Sequence, residues 1–276
     1  MSTDYRSLND DPLNAHAVSL DQVNVVRWGH PILRDISLRV EAGSCCTILG
    51  PNGSGKSTLL AILNGYIWPS SGTVSIGGHV YGKVDLARIR RTIGSIEPSR
   101  SPTFDDHMTV RDVVATGLFG TIRLPLHREI RAKAWKRVDA EIKLLGLGDL
   151  RKDAFSQLST GEQMKALLAR AMVAEAGLLL LDEPTAGLDL GARAVCIGVL
   201  DRLLNRDNHP TVVIVSHHLD ELPGSVDQVV LLKQGSLFGD GPPDRMLTSE
   251  RLSRLFDCRV EVFRNNGRCV AGVREA

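Results

Sequence analysis

With 276 residues and a mass of 30.0 kDa, the chain has room for one sizeable α/β domain with a lobe inserted and an ample core. Its 33 Lys and Arg against 32 Asp and Glu leave a formal charge of +1, which excludes a global field drawing it onto nucleic acid, and no direct nucleic-acid partner is expected. Five cysteines without zinc-site spacing point to reduced thiols in a cytoplasm-like compartment; no apolar run approaches the ~20 residues that cross a bilayer, and the polar N-terminus lacks a secretory segment, so membrane association is expected only through a partner.

Residues 1–17 are polar, carry Asp10, Asp11 and Pro12, show no periodicity, and read as a disordered tail. Alternation then sets in with Val18, Leu20, Val23 and Val25, continues with Ile36, Leu38 and Val40, and returns at Val74 and Ile76 before a turn at Gly77 and Gly78. Such half-buried strands predict a small antiparallel sheet. Trp28 falls in the loop between its first two strands, where an aromatic ring either stacks on a purine base or caps the sheet edge.

Within that sheet's span, residues 48–60 read ILGPNGSGKSTLL and match the phosphate-binding pattern G-x-x-x-x-G-K-[ST], with Gly50, Gly55, Lys56 and Ser57 in the defining positions. Pro51, Asn52, Gly53 and Ser54 complete the loop and Thr58 follows it. Glycines let the backbone curl around a polyphosphate and aim N–H groups at it, and a helix starting near Gly55 adds the positive end of its dipole. Lys56 is placed to reach β- and γ-phosphates, and the Ser57 hydroxyl to coordinate Mg²⁺. The flanks agree: residues 45–49 suit a buried strand, in which Cys45 and Cys46 serve as small apolar residues, and residues 58–63 suit a helix.

From 108 to 147 the period is helical, with Val110, Val113 and Val114 on one apolar face and Trp135, Val138, Ile142 and Leu145 on another. A basic run lies between and along them: Arg123, His127, Arg128, Arg131, Lys133, Lys136 and Arg137. It is either a solvated helix face or a docking surface for an acidic partner or lipid headgroups. Ser159, followed three residues later by Glu162 and an apolar helix, makes a capping box, while Ser159, Thr160 and Gly161 also form an exposed helix N-terminus suited to an anion. Residues 177–181 form a buried strand that ends at Asp182 and Glu183, and carboxylates there call for a cation or a water to receive them. A second buried strand, 211–215, ends at Ser216, His217 and His218, which puts a histidine level with Glu183 in a parallel sheet. Residues 229–232 and a turn at Gln234 and Gly235 predict a hairpin on the sheet edge; Pro242 and Pro243 break the chain, and a short helix near 249–256 precedes a hairpin centred on Asn266 and Gly267.

In this order, phosphate loop, helical lobe, LSTGE, LLLLDEP, AGLD and VSHH, the segments resemble the nucleotide-binding subunit of an ATP-binding cassette (ABC) transporter of the importer type. The resemblance implies an α/β fold: a P-loop NTPase core with a parallel sheet, an antiparallel β-subdomain and an α-helical subdomain inserted at about 98–157, all within an ATPase domain spanning 18–241, then a helix and hairpin extension at 242–276. It implies ATP hydrolysis with Mg²⁺, in a homodimer or heterodimer of ATPase domains closing head to tail on two nucleotides. Trp28 would then stack on adenine, residues 50–58 bind phosphates, Ser57 and Asp182 hold Mg²⁺, and Glu183, His217 and Lys56 carry the chemistry. Ser159 and Gly161 would reach the ATP of the opposite subunit, and Asp189 would lie in the loop that communicates across the dimer.

Two positions depart from the family pattern. Thr160 replaces the first signature glycine, and the stretch IGSIEPSRSP carries no glutamine near Glu97 or Pro98, where the family has one that touches Mg²⁺ or the attacking water and links the site to the membrane partner. The expected function is to power transport through a separate integral membrane permease, at the cytoplasmic face, for a cargo such as a siderophore, metal or metallo-cofactor. A soluble, non-transport ABC ATPase with a regulatory or a nucleic-acid- or ribosome-associated role is the alternative, favoured by the missing glutamine and opposed by the neutral charge, the single cassette and the lack of a coiled-coil insertion.

Overall fold

The computed structural model describes residues 16–97, 103–125, 129–174, 176–265 and 268–273. The alternating segments form β1 (His16–Arg27) and β2 (His30–Glu41), an antiparallel pair joined by a two-residue turn at Trp28 and Gly29. The chain continues through β3 (Cys45–Leu49), α1 (Lys56–Leu63), β4 (Ser71–Ile76), β5 (His79–Val80), α2 (Leu86–Arg90) and β6 (Ile93–Ile96). Helices α3 (Val110–Thr116), α4 (Ala132–Leu144) and α5 (Thr160–Val173) follow, then β7 (Leu178–Asp182), α6 (Leu190–Leu204), β8 (Thr211–Ser216), β9 (Gln228–Lys233) and β10 (Ser236–Gly241). Last come α7 (Pro243–Met246), α8 (Ser249–Phe256) and the hairpin of β11 (Val260–Asn265) and β12 (Arg268–Val273).

Two sheets result. The antiparallel one has the order β2-β1-β4-β5, and the larger has the order β10-β9-β3-β8-β7-β6, parallel except for the edge strand β10. Side-chain alternation explains why β3, β7 and β8 read as continuous apolar runs rather than alternating ones. Cys45, Leu179, Leu181, Val212 and Ile214 point into a core shared with α3, α4, α5 and α6, whereas Cys46, Ile48, Leu178, Leu180, Val213 and Val215 point into a core shared with α1 and the antiparallel sheet. A parallel sheet covered on both faces has no polar side to show. Burial pushes the Cys45 and Cys196 thiols up to about 12, so both behave as small apolar residues.

Several expectations change in detail. The strand starts at His16, not Val18: His16 pairs with Glu41 and the Ala17 carbonyl accepts the Gly77 N–H at 2.8 Å, so two residues assigned to the tail are in the sheet. The rest of that tail, Pro98, His127, Arg128, Asn266 and Gly267 lie outside the described residues. Strand β7 is displaced by one residue from 177–181, because Gly177 is exposed and Asp182 still pairs with Val215. Pro243 does more than break the chain, since it opens α7 at a position where its missing N–H has no helical partner to lose. Helices α7 and α8 and strand β11 share an apolar cluster with Leu49, Val229 and Leu231 of the main sheet, which anchors the C-terminal elements to it. Within the basic run, Arg123 pairs with Asp105 at 2.9 Å; Trp135 is covered by Arg111, whose guanidinium lies 4.1 Å from the ring and also grips Asp139 at 2.7 and 2.8 Å.

One turn positions the phosphate-binding loop. Between β9 and β10, Gln234 and Gly235 have φ of 49° and 79°, the left-handed pair of a tight hairpin. Gly235 donates its N–H to the Ser54 carbonyl at 3.0 Å and accepts the Arg34 N–H at 2.7 Å, so it joins β2 to the loop. A Cβ on Gly235 would stand 2.4 Å from the Ile32 carbonyl oxygen, a backbone atom that cannot turn away. Gly235→Ala is therefore expected to lower stability by about 2 kcal/mol, combining left-handed strain with that overlap. Chemical denaturation checks it, and a loss under about 0.5 kcal/mol, the range of ordinary surface changes, would refute it.

Candidate nucleotide site

Topology brings three chain ends together. Strands β3, β8 and β7 are adjacent and parallel, with Leu49 beside Ser216 and Asp182 beside Val215, so the phosphate loop, His217 and the carboxylates of Asp182 and Glu183 all emerge from one edge of the sheet. The carboxyl edge of a parallel sheet is where open α/β folds place ligands.

The loop is shaped as an anion cradle. A Cβ on Gly50 would lie 2.2 Å from the Leu232 carbonyl oxygen and 2.8 Å from Ser54 Oγ, while Gly55, at φ 103°, would drive one to 2.6 Å from Leu33 Cδ2. Only glycine fits either position. Gly55 caps α1 without a side chain, and the first helical bond runs from Leu59 N–H to the Gly55 carbonyl at 2.9 Å. The amides of Lys56, Ser57 and Thr58 therefore have no acceptor within the helix. Ser54 Oγ, in a side chain 2% exposed, has no hydrogen-bond partner either. Lys56 is buried and donates from Nζ to the carbonyls of Gly50 at 2.7 Å and Pro51 at 3.0 Å. Burial lowers its pKa, and the nearby carboxylates of Glu183 and Asp182 push back in the other direction. Unpaired donors and a retained cation on one loop suit a polyphosphate.

Opposite the loop, Glu183 has φ 49°, a left-handed conformation rarely adopted by a residue with a long side chain. Its N–H donates to Val215 O at 2.9 Å, and its carbonyl accepts the Ala186 N–H at 2.9 Å. Glu183 Oε1 and His217 Nδ1 are 2.8 Å apart, so the predicted level pair forms a direct hydrogen bond. An ionised carboxylate only accepts, which places a proton on Nδ1. The ring of His218 lies 3.9 Å from that of His217. Ser57 is exposed at the loop mouth and Asp182 is half-buried, both offering hard oxygen donors. Among the described residues no group of three or more His, Cys, Asp and Glu could hold a metal unaided.

Trp28 is 96% exposed, so it does not cap the sheet edge, and its φ of 49° is strained for so large a side chain. It lies at the end of the hairpin whose second strand carries Leu33 against Gly55. Ser159 and Gly161 are elsewhere: α5 packs on α3, α4 and α6, whereas α1 packs on β2, β7 and β8. Ser159 caps α5 in a full capping box with Glu162, its Oγ donating at 2.6 Å, and those bonds hold the Glu162 carboxyl below its ordinary value. A Cβ on Gly161 would meet the Ala192 Cβ at 3.0 Å, so the glycine lets α5 approach α6, whose N-cap Asp189 accepts the Ala192 N–H at 2.7 Å. Ser159, Thr160 and Asp189 are exposed beside this contact, and Gly161 is half-buried in it.

Glu97 follows β6, whose Ile96 pairs with Leu181, so it leaves the sheet level with Asp182. Asn64, the C-cap of α1, donates to Ser95 Oγ at 3.1 Å and to Glu97 Oε1 at 3.4 Å. Sequence reasoning missed Asn64, because a buried asparagine at a helix end carries no motif.

The ABC transporter family profile matches residues 33–186. The chain is 35% identical over 254 residues to the uncharacterized ABC transporter ATP-binding protein YlmA of Bacillus subtilis (strain 168), across 91% of this chain and 95% of that protein. It is 37% identical over 245 residues to the hemin import ATP-binding protein HmuV of Rhodopseudomonas palustris (strain BisA53), across 85% of each. Among solved structures, CbiO1 from Clostridium perfringens, part of the ABC transporter complex CbiONQ, superposes with a TM-score of 0.75 at 26% identity, over 87% of this chain and 94% of that one. A dimeric post-hydrolysis state of the ATP-binding cassette MJ0796, bound to ADP and Pi, superposes with a TM-score of 0.68 at 26% identity, over 82% and 98%. With its profile match, its relatives and its α/β architecture in agreement, the chain belongs to the ABC transporter family as an ATP-binding subunit with the ABC ATPase fold.

Proposed function

We propose that the protein hydrolyses ATP to ADP and phosphate with Mg²⁺, as one of two cassettes that close on two nucleotides, and thereby powers uptake through a separate integral membrane permease. The observation that carries this reading is the uncapped α1 N-terminus with Lys56, facing a Glu183–His217 pair held at 2.8 Å. The amides and Lys56 bind and orient the phosphates, Trp28 stacks on adenine, and Glu183 orients the attacking water. His217 offers its proton either to Glu183 or to a γ-phosphate oxygen, so a bound nucleotide frees the carboxylate for water. When bound by Ser57 and Asp182, Mg²⁺ supplies charge neutralisation on the phosphate oxygens.

Dimerisation draws support from the exposed face of Ser159 and Asp189 beside the half-buried Gly161, where Leu190 is also exposed. Among the described residues no helix is long and apolar enough to cross a membrane; on the family reading, a separate partner carries out the transport step, with this chain at the cytoplasmic face. A cavity of about 320 Å³ lined by Arg90, Arg91 and Arg170, with exposed Tyr66 under Arg90, is consistent with docking of another protein. The hemin-import relative favours a metallo-cofactor, siderophore or metal as cargo. With the first strand starting at His16, we divide the chain into an ATPase domain at 16–241, with its helical subdomain at about 98–157, and the extension 242–276.

Tagged Glu183→Gln protein purified from native membranes in the presence of ATP tests the transport reading. The expected product is an ATP-stabilised dimer bound to a polytopic membrane protein. Recovery in the soluble fraction alone, without such a partner, overturns it in favour of a soluble ABC ATPase.

A further inference from the structure

Behind the Glu183–His217 pair lies a carboxylate that the chemistry above does not use. Glu221 is 6% exposed. Its Oε2 accepts the Thr185 hydroxyl at 2.6 Å and lies 3.4 Å from Ser216 Oγ, and its Oε1 faces Arg193 Nη1 at 3.3 Å. Arg193 also reaches Asp220 at 3.6 Å.

Each of these anchors belongs to a different piece of the site. Thr185 follows Glu183 by two residues, in the turn closed by Ala186 N–H on the Glu183 carbonyl at 2.9 Å and Leu188 N–H on the Thr185 carbonyl at 3.1 Å. Ser216 immediately precedes His217, and its Oγ accepts the His218 N–H at 3.0 Å. Arg193 lies in the first turn of α6, where its N–H bonds the carbonyl of Asp189 at 2.9 Å. One buried oxygen pair therefore joins the glutamate turn, the histidine turn and the helix that Asp189 caps.

The energetics favour a rigid junction. A buried carboxylate is destabilising unless donors and a cation converge on it, and here the Thr185 hydroxyl and the Arg193 guanidinium do so, while the single Ser216 hydroxyl proton is shared between Glu221 at 3.4 Å and the His218 carbonyl at 3.1 Å. The left-handed backbone of Glu183 persists only where its surroundings over-determine it, and Thr185, bonded to Glu221, is the near end of that support.

We propose that Glu221 is a positioning residue, which keeps Glu183 and His217 in register and ties that pair to the Asp189 end of α6, so that movement of the exposed dimer face reaches the group that orients water. This rests on the hydrolytic reading above. The two serve different tests: phosphate release by the wild-type chain examines hydrolysis, and the variants examine Glu221.

The experiment compares wild type, Thr185→Val, Glu221→Gln and Glu221→Ala as full-length protein, measuring kcat, KM, ATP affinity and thermal stability. Glu221→Ala is expected to lower kcat about 100-fold with ATP affinity unchanged within about twofold, as for a small misplacement of reacting groups. Glu221→Gln keeps an acceptor for Thr185 and is expected to recover about tenfold of that loss, while Thr185→Val and Glu221→Ala combined should be no worse than Glu221→Ala alone. Thr185→Val is isosteric and keeps the test open if loss of the buried charge prevents folding of the alanine variant. Unchanged kcat in folded Thr185→Val and Glu221→Gln, or losses of kcat that track melting temperature without rescue by glutamine, overturns the proposal. Absence of turnover in the wild type overturns the hydrolytic reading and this one with it.

Discussion

Replacing Glu183 with glutamine is expected to lower ATP turnover by about 10³-fold while ATP still binds, the scale of losing a positioned base or water-orienting carboxylate. Glutamine has the same shape, and its carbonyl oxygen can keep the 2.8 Å contact to His217 Nδ1. What it lacks is the negative charge that draws a proton from the attacking water. That same loss removes repulsion from a bound γ-phosphate, so affinity should stay level or rise. Phosphate release at saturating Mg²⁺ and ATP, beside equilibrium binding, reads both effects. Turnover within tenfold of wild type would transfer the role to another carboxylate, with Glu97, level with Asp182, the first to examine.

Lys56→Ala is expected to weaken ATP binding at least ~100-fold, since two charge-assisted contacts to phosphate together contribute about 3 kcal/mol or more. The ammonium now bonds the carbonyls of Gly50 and Pro51 and senses Glu183 and Asp182. Phosphates offer it a stronger partner than neutral carbonyls, which is why binding energy is available from a cation already inside the fold. Its removal leaves those carbonyls without their donor, with an expected loss of about 1 to 2 kcal/mol of stability. Calorimetric titration with ATP, run beside thermal melts, separates the two. Affinity unchanged in a folded variant would overturn the phosphate-loop assignment.

Much of the molecule is legible in local patterns, because the physics involved is local. Alternation marks β1, β2 and β4, continuous apolar runs mark the strands covered on both faces, and Ser159 with Glu162 makes its capping box within one helical turn. The phosphate loop is legible for the same reason, since its glycines, Lys56 and helix start are consecutive. The level placement of Glu183 and His217 is one step less local, and it follows from two buried strands being parallel neighbours.

By itself, then, the sequence determined most of the elements, though not β5, α2, β6, α6 or α7, together with the ATP-binding cassette motifs, the phosphate loop and the missing glutamine near Glu97. Tertiary structure alone decided what braces them: Gly235 pinning Ser54, Asn64 holding Glu97, Gly161 admitting Ala192 and Glu221 joining two turns to α6. In each of these the partners are far apart in the chain, and nothing in the residue type announces the meeting. A glycine whose missing Cβ avoids a distant carbonyl, or a glutamate neutralised by groups from three other segments, acquires its meaning only when the chain has folded and desolvated it.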